Sequence, residues 1–155
     1  MKLALFADIH ANLEALQACF EHAGEQGADE VAFLGDLVGY GADPAAVLEL
    51  VRARAEAGAV VVRGNHDAAV VDASTDTMNR SAEAVVGWTR QQLDAAQLGF
   101  LGALPLVVRR DQICFVHATA NRPAEWTYVH EAHAAAVSMS AAGATWVFSG
   151  HVHEP

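Results

Sequence analysis

The chain has 155 residues, 53% of them apolar and 18% charged, which suits one ordinary domain with a sizeable core and excludes a disordered polypeptide. Nineteen acidic against nine basic residues leave a formal net charge of −10, so the overall field repels polyanions and argues against nucleic-acid polymers or anionic membranes as partners. The opening apolar run, residues 3–7, is too short for a membrane span or a secretory leader, and Cys19 and Cys114 lie far apart without metal-type spacing; both read as reduced, buried thiols of a cytoplasmic protein.

Residues 2–7 stop abruptly at Asp8-Ile9-His10, which predicts a buried strand ending in a polar loop. Asn12 is placed to cap a helix on which Leu13, Leu16, Phe20 and Ala23 recur at helical spacing, and which ends between Gly24 and Gly27. Residues 31–34 predict a second strand, followed by Gly35-Asp36 and a glycine-punctuated loop to Gly41. Pro44 then suits the first turn of a helix reaching about residue 57. Residues 60–62 predict a third strand, broken by Gly64-Asn65-His66-Asp67, which by itself reads as a turn. This alternation implies a parallel sheet with polar loops gathered at the C-terminal ends of its strands. Residues 79–96 read as one helix with Val85, Trp88 and Leu93 facing inward. Residues 106–108 and 113–116 flank Arg109-Arg110-Asp111 and predict an antiparallel hairpin that ends at His117. Residues 118–128 read as an irregular loop, 131–142 as a helix and 145–148 as a last strand, followed by Gly150-His151-Val152-His153. With no repeat and no linker, residues 1–155 read as a single domain.

Chemistry concentrates where the strands end. Asp8, His10, Asp36, His117, His151 and His153 are good oxygen or imidazole ligands, and Asn65 offers a carbonyl oxygen. Asp8 and His10 are two apart, as are His151 and His153, so extended backbone would turn both members of each pair to one side. Glycine precedes Asp36, Asn65 and His151, where backbone must come close to a site. Each motif alone is weak. Together, all at strand ends, they point to a metal site, because carboxylates clustered there would repel one another without cations.

In order, Asp8-Ile9-His10, Gly35-Asp36-Leu37-Val38, Gly64-Asn65-His66-Asp67, His117 and Gly150-His151-Val152-His153 resemble the D-x-H, G-D-x-x, G-N-H-D/E, H and G-H-x-H motifs of the calcineurin-like metallophosphoesterases, over nearly the whole chain. The resemblance implies an α/β fold of the α/β/β/α sandwich type. It also implies one metal on Asp8, His10 and His153, a second on Asn65, His117 and His151, Asp36 bridging them, and His66 as the catalytic residue beside the scissile phosphate. Two divalent cations follow, manganese first, with iron, nickel or zinc as alternatives. The implied reaction is phosphoester hydrolysis by a metal-bridging hydroxide, with His66 either protonating the leaving group or stabilising developing charge.

The related Ser/Thr phosphoprotein phosphatases resemble G-D-x-V-D-R-G at the second motif, with an aspartate that orients the histidine and an arginine that grips phosphate; here Gly39 and Tyr40 replace both, in a form that resembles a bacterial subgroup. A small phosphodiester is therefore the expected substrate. A phosphomonoesterase acting on a nucleotide or phosphoprotein is the alternative, and a non-catalytic binding scaffold a third that the complete ligand set argues against. Arg63, Tyr40 and Arg122 are candidate phosphate contacts, Asp67 a candidate partner of a site histidine, and Trp126 and Tyr128 candidate cleft residues. His22, His130 and His133 read as surface, Trp88 and Trp146 as core. About six strands leave the second sheet short, with an open edge and a partly bare apolar face; together with a mean hydropathy of +0.19, this predicts a homo-oligomer or a longer natural chain.

Overall fold

The computed structural model describes residues 2–73 and 80–153. Strand β1 (Leu3–Phe6), helix α1 (Leu13–Glu25), β2 (Glu30–Phe33), α2 (Pro44–Glu56) and β3 (Val60–Val61) follow the predicted alternation, and the strands form a parallel sheet in the order β1-β2-β3. The Asn12 side chain accepts the Ala15 N–H at 3.0 Å and so fixes the start of α1. Three helices come next, α3 (Asn65–Asp72), α4 (Arg80–Gln91) and α5 (Ala95–Ala103). A hairpin of β4 (Val107–Arg110) and β5 (Ile113–Val116) follows, then a 3₁₀ turn over Pro123–Glu125, helix α6 (Ala132–Ala142) and β6 (Trp146–Phe148). The second sheet runs β4-β5-β6, antiparallel across the hairpin and parallel between β5 and β6.

Side-chain alternation along the strands stacks these elements into α/β/β/α layers. On β2, Phe33 faces α1 and α2 with Leu16, Val47, Leu48 and Val51, whereas Ala32 faces the second sheet. Ala32, Leu34, Val60 and Val62 meet Phe115, Val108 and Phe148 between the sheets, and Cys114 and Val147 turn the other way to pack with Ala142 at the end of α6. A Phe33→Ala change in this setting costs about 3–5 kcal/mol.

Several sequence expectations are corrected. Gly64-Asn65-His66-Asp67 opens helix α3 rather than forming a turn, because the Asp67 carboxylate accepts the Gly64 N–H at 2.9 Å across the first helical turn. The single helix expected over residues 79–96 is two, since Asp94 and Gln97 exchange side-chain bonds with each other's backbone N–H and restart the chain as α5; Asn79 lies outside the described residues. On α4 the inward positions are Val86 and Thr89, and Trp88 beside them is 43% exposed. Trp146, the first residue of edge strand β6, is 60% exposed. Cys19 is exposed because it falls off the buried stripe of α1, while Cys114 is buried; both are free thiols.

Candidate metal centre

Every chemistry-bearing residue hangs from the C-terminal end of a strand: Asp8 and His10 after β1, Asp36 after β2, Asn65 and His66 after β3, His117 after β5, His151 and His153 after β6. Main-chain bonds lock these loops together. The Asp8 N–H donates to the Gly35 carbonyl at 3.1 Å, the His10 N–H to the Asp36 carbonyl at 2.9 Å, and the Gly150 N–H to the His117 carbonyl at 3.0 Å. The two sheets are joined at the site by the His151 N–H, which donates to the Asp8 carboxylate at 3.0 Å.

The backbone is not extended at the paired ligands, as the sequence reading had it. Asp8, His10, Asp36, His151 and His153 all have φ between +48° and +72°, a region that costs a non-glycine residue energy and persists where surrounding structure enforces it. Asp8 and His10 still fall in one cluster of ligand atoms, whereas His151 and His153 go to different ones. Two glycines permit the close approach. A Cβ on Gly64 would stand 2.2 Å from the Asp36 nitrogen and Oδ1, and one on Gly35, at φ +91°, would stand 2.6 Å from the Gly64 nitrogen and 2.8 Å from His117 Nδ1.

The side chains converge as two groups with Asp36 between them. In one, His153 Nε2 lies 3.2 Å from Asp8 Oδ1 and 3.2 Å from His10 Nε2. In the other, His117 Nε2 lies 3.0 Å from Asn65 Oδ1, and Asp36, His117 and His151 place ligand atoms within 4.8 Å of one another. Asp36 commits Oδ1 to the His66 N–H at 2.8 Å, which leaves Oδ2 facing His117 Nε2 at 3.4 Å and His10 Nε2 at 3.8 Å. Carbonyls set the histidine tautomers: His117 Nδ1 donates to Leu34 at 2.7 Å, His10 Nδ1 to Val38 at 3.2 Å, and His151 Nε2 to Trp126 at 2.8 Å. Their other ring nitrogens face the centre, the orientation that presents imidazole to a metal. The donor set of imidazole nitrogens, carboxylates and an amide oxygen fits divalent transition ions.

A family model described as the calcineurin-like phosphoesterase superfamily domain matches residues 1–155. The chain belongs to the calcineurin-like phosphoesterases. This phosphoesterase is 37% identical to a metallophosphoesterase from Sphaerobacter thermophilus whose crystal structure covers all of this chain at a TM-score of 0.86, and 62% of that chain is covered in return. It is 33% identical to an uncharacterized protein of Methanocaldococcus jannaschii over 99% of its own length and 63% of the relative's. It therefore spans somewhat less than two thirds of both. A second solved structure, provisionally described as a diadenosine tetraphosphatase, is 25% identical over 83% of this chain and 56% of that one, with a TM-score of 0.60. The family is one of hydrolases that bind divalent metals, and the His/Asp groups seen here are of a kind that could hold them.

Charge within the phosphoesterase site is finely balanced. Burial draws His10, His66 and His151 below the ordinary imidazole value, against the opposing pull of Asp36, and so favours their neutral forms. Burial acts the same way on His117, but its hydrogen bond to Asp36 and that carboxylate's charge outweigh it and raise the value. Asp36 is correspondingly held down by His117 despite its own desolvation. Asp67 is fully buried; desolvation and then the charge of Asp36 push it up to about 7.

The remaining candidates separate. His66 Nδ1 is buried without a partner against Gly39, where a Cβ would stand 2.8 Å away, so Nε2 is the nitrogen left for the cleft. Tyr40 packs on His66 and His10 with ring centroids 4.6 and 4.8 Å apart, and Tyr128 stacks on His151 at 4.1 Å. Arg63 and Arg122 are not among the residues lining the cleft: Arg63 reaches the Gly102 carbonyl, and Arg122 pairs with Glu125 at 3.3 Å. Asp67 partners no site histidine; its carboxylate accepts the Leu37, Val38 and Gly64 N–H groups and ties the Asp36 loop to α3. What the sequence could not signal are the carbonyls of Leu34, Val38 and Trp126, since any residue type supplies one. Among the described residues no helix is long and apolar enough to cross a membrane.

Proposed function

We propose that the chain hydrolyses small phosphoesters, diesters ahead of monoesters, with divalent metal held in two places. Asp8, His10 and His153 would hold one ion, Asn65, His117 and His151 the other, and Asp36 Oδ2 would serve both. Its position between the two groups is the observation that carries the reading. When bound, such ions supply an activated water and charge neutralisation for in-line displacement at phosphorus; manganese is the first choice for this donor set.

The protein's own groups do the rest. Asp36 accepts the His66 N–H and so fixes the backbone of the histidine relative to the ligand groups. With Nδ1 enclosed and the ring favoured neutral, His66 keeps its single proton on Nε2, where it donates to a phosphoryl or leaving-group oxygen. Among the described residues no guanidinium lines the cleft to match a second phosphate charge, and with Gly39 in place of an aspartate, His66 Nδ1 has no hydrogen-bond partner. Both features favour a monoanionic diester over a dianionic monoester. Residues 1–155 are read as one domain of this activity.

The test is hydrolysis of matched aryl phosphodi- and monoesters before and after exhaustive chelation, with metal analysis of the active protein. The expected result is metal-dependent turnover with about two ions per chain and kcat/KM for the diester at least equal to that for the monoester. Full activity after chelation overturns the metal reading, and a strong preference for phosphoserine peptides overturns the substrate choice.

A further inference from the structure

Tyr40 is the shared wall of two concavities. On one side lies the cleft of about 190 Å³ lined by Asp36, His66 and His153. On the other lies a groove of about 500 Å³ bordered by Asp8, His10, Glu14 and Asp43. The group of Asp8, His10 and His153 thus opens both ways, with Asp8 and His10 on the groove and His153 on the cleft. Tyr40 is 58% exposed and left-handed at φ +65°. An exposed aromatic in a costly backbone conformation, packed on two site histidines, gains nothing from the core and is placed where a ligand would meet it.

The groove's chemistry limits what enters. Glu14 stands in the first turn of α1, and Asp43 precedes α2 with a side chain that makes no capping bond. Among the described residues no lysine or arginine lines the groove. An anionic group on its far side from the proposed metal position faces the Glu14 and Asp43 carboxylates with no basic side chain to offset them, whereas hydroxyls can donate to them and a planar ring can lie against Tyr40. We propose that Tyr40 and this groove form the subsite for one alcohol arm of the phosphoester, selecting an uncharged, hydroxyl-bearing, planar arm such as a nucleoside over arms that carry further phosphate. The inference rests on the phosphoesterase reading above and points away from dinucleoside polyphosphates.

The test uses Mn²⁺-loaded protein and three esters: thymidine 5′-(p-nitrophenyl) phosphate, its 3′-phosphorylated counterpart, and methyl p-nitrophenyl phosphate. In Tyr40→Ala the kcat/KM ratio of the thymidine ester to the methyl ester falls roughly three- to tenfold, the scale of one aromatic contact. In the double variant Glu14→Gln/Asp43→Asn the discrimination against the 3′-phosphorylated ester falls by about threefold or more. Ligand-observed NMR on metal-free protein shows saturation transfer to thymidine that Tyr40→Ala abolishes. Unchanged ratios in active variants, or transfer that survives Tyr40→Ala, overturn the subsite while leaving the phosphoesterase reading intact. Failure of the wild type to hydrolyse any of the three esters with any divalent metal overturns both.

Discussion

The two ligand groups on either side of Asp36 are built differently. In the inner one Asp36, His117 and His151 are all buried; Leu34 and Trp126 carbonyls fix both imidazoles, and Tyr128 stacks on His151. In the outer one the His153 side chain is 52% exposed and, among the described residues, nothing holds its second ring nitrogen; only His10 is tied to a carbonyl, that of Val38. A donor already held in place loses little freedom on binding, whereas a mobile one must be ordered. Under the proposed two-metal reading, the inner group would be the tighter and less exchangeable position, and the outer one the position with more freedom to adjust.

His66 places a ring nitrogen within 4.8 Å of ligand atoms of His10 and Asp36 but is assigned to chemistry rather than to metal holding, and its removal tests that assignment: His66→Ala lowers kcat by about 10²-fold or more, the scale of a lost proton donor, while metal analysis shows the content retained. Lost metal in this variant would make His66 a ligand. His117→Ala weakens the tighter ion by at least about 10- to 100-fold, a range already reached by loss of a ligand's supporting contacts, and His153→Ala weakens only the looser one. Stepwise chelator competition reads both, and equal effects would erase the asymmetry. Asp67→Asn puts an amide NH₂ or a lost acceptor against the Leu37, Val38 and Gly64 donors and costs about 1–3 kcal/mol in urea unfolding; an unchanged midpoint would show that the inner loop is held by other contacts.

The smallest effect is a proton linkage in the metal-free protein. His66 titrates below its ordinary 6.5 because burial disfavours its charge, so its contribution to stability is present above 6.5 and is lost as pH falls through that value toward the depressed one. Relative to wild type, His66→Asn gains stability as pH falls from neutral through 6.5 toward that depressed value, and thermal melts over the mildly acidic range show it as a narrowing difference. A widening difference would reverse the sign of the shift.

The sequence carried the fold where one physical signal dominated. Short apolar runs broken by Asp, Asn or His marked β1, β2, β3 and β5, although β1, expected to be buried, is an edge strand whose Leu5 is 40% exposed. The same breaks located the residues that now cluster. What escaped was whatever depends on a neighbour. Trp88 and Trp146 are exposed because the helical stripe and the sheet edge leave them outside, which hydrophobicity alone does not reveal. Gly64-Asn65-His66-Asp67 looks like a turn until Asp67 is seen gathering three N–H groups. The left-handed ligands were equally hidden, because the enforcing contacts come from loops far away in the chain.

Asp8 meets His151 across 143 residues of sequence and His153 across 145. Closing so long a span is entropically demanding, and contacts of this separation form late in folding. A nascent or partly refolded chain holding only the first sheet has Asp8, His10, Asp36 and Asn65 in place yet lacks every ligand from the second sheet. The proposed metal centre is therefore complete only once the two sheets dock, because Asp8, His10 and Asp36 from the first sheet meet His117, His151 and His153 from the second there.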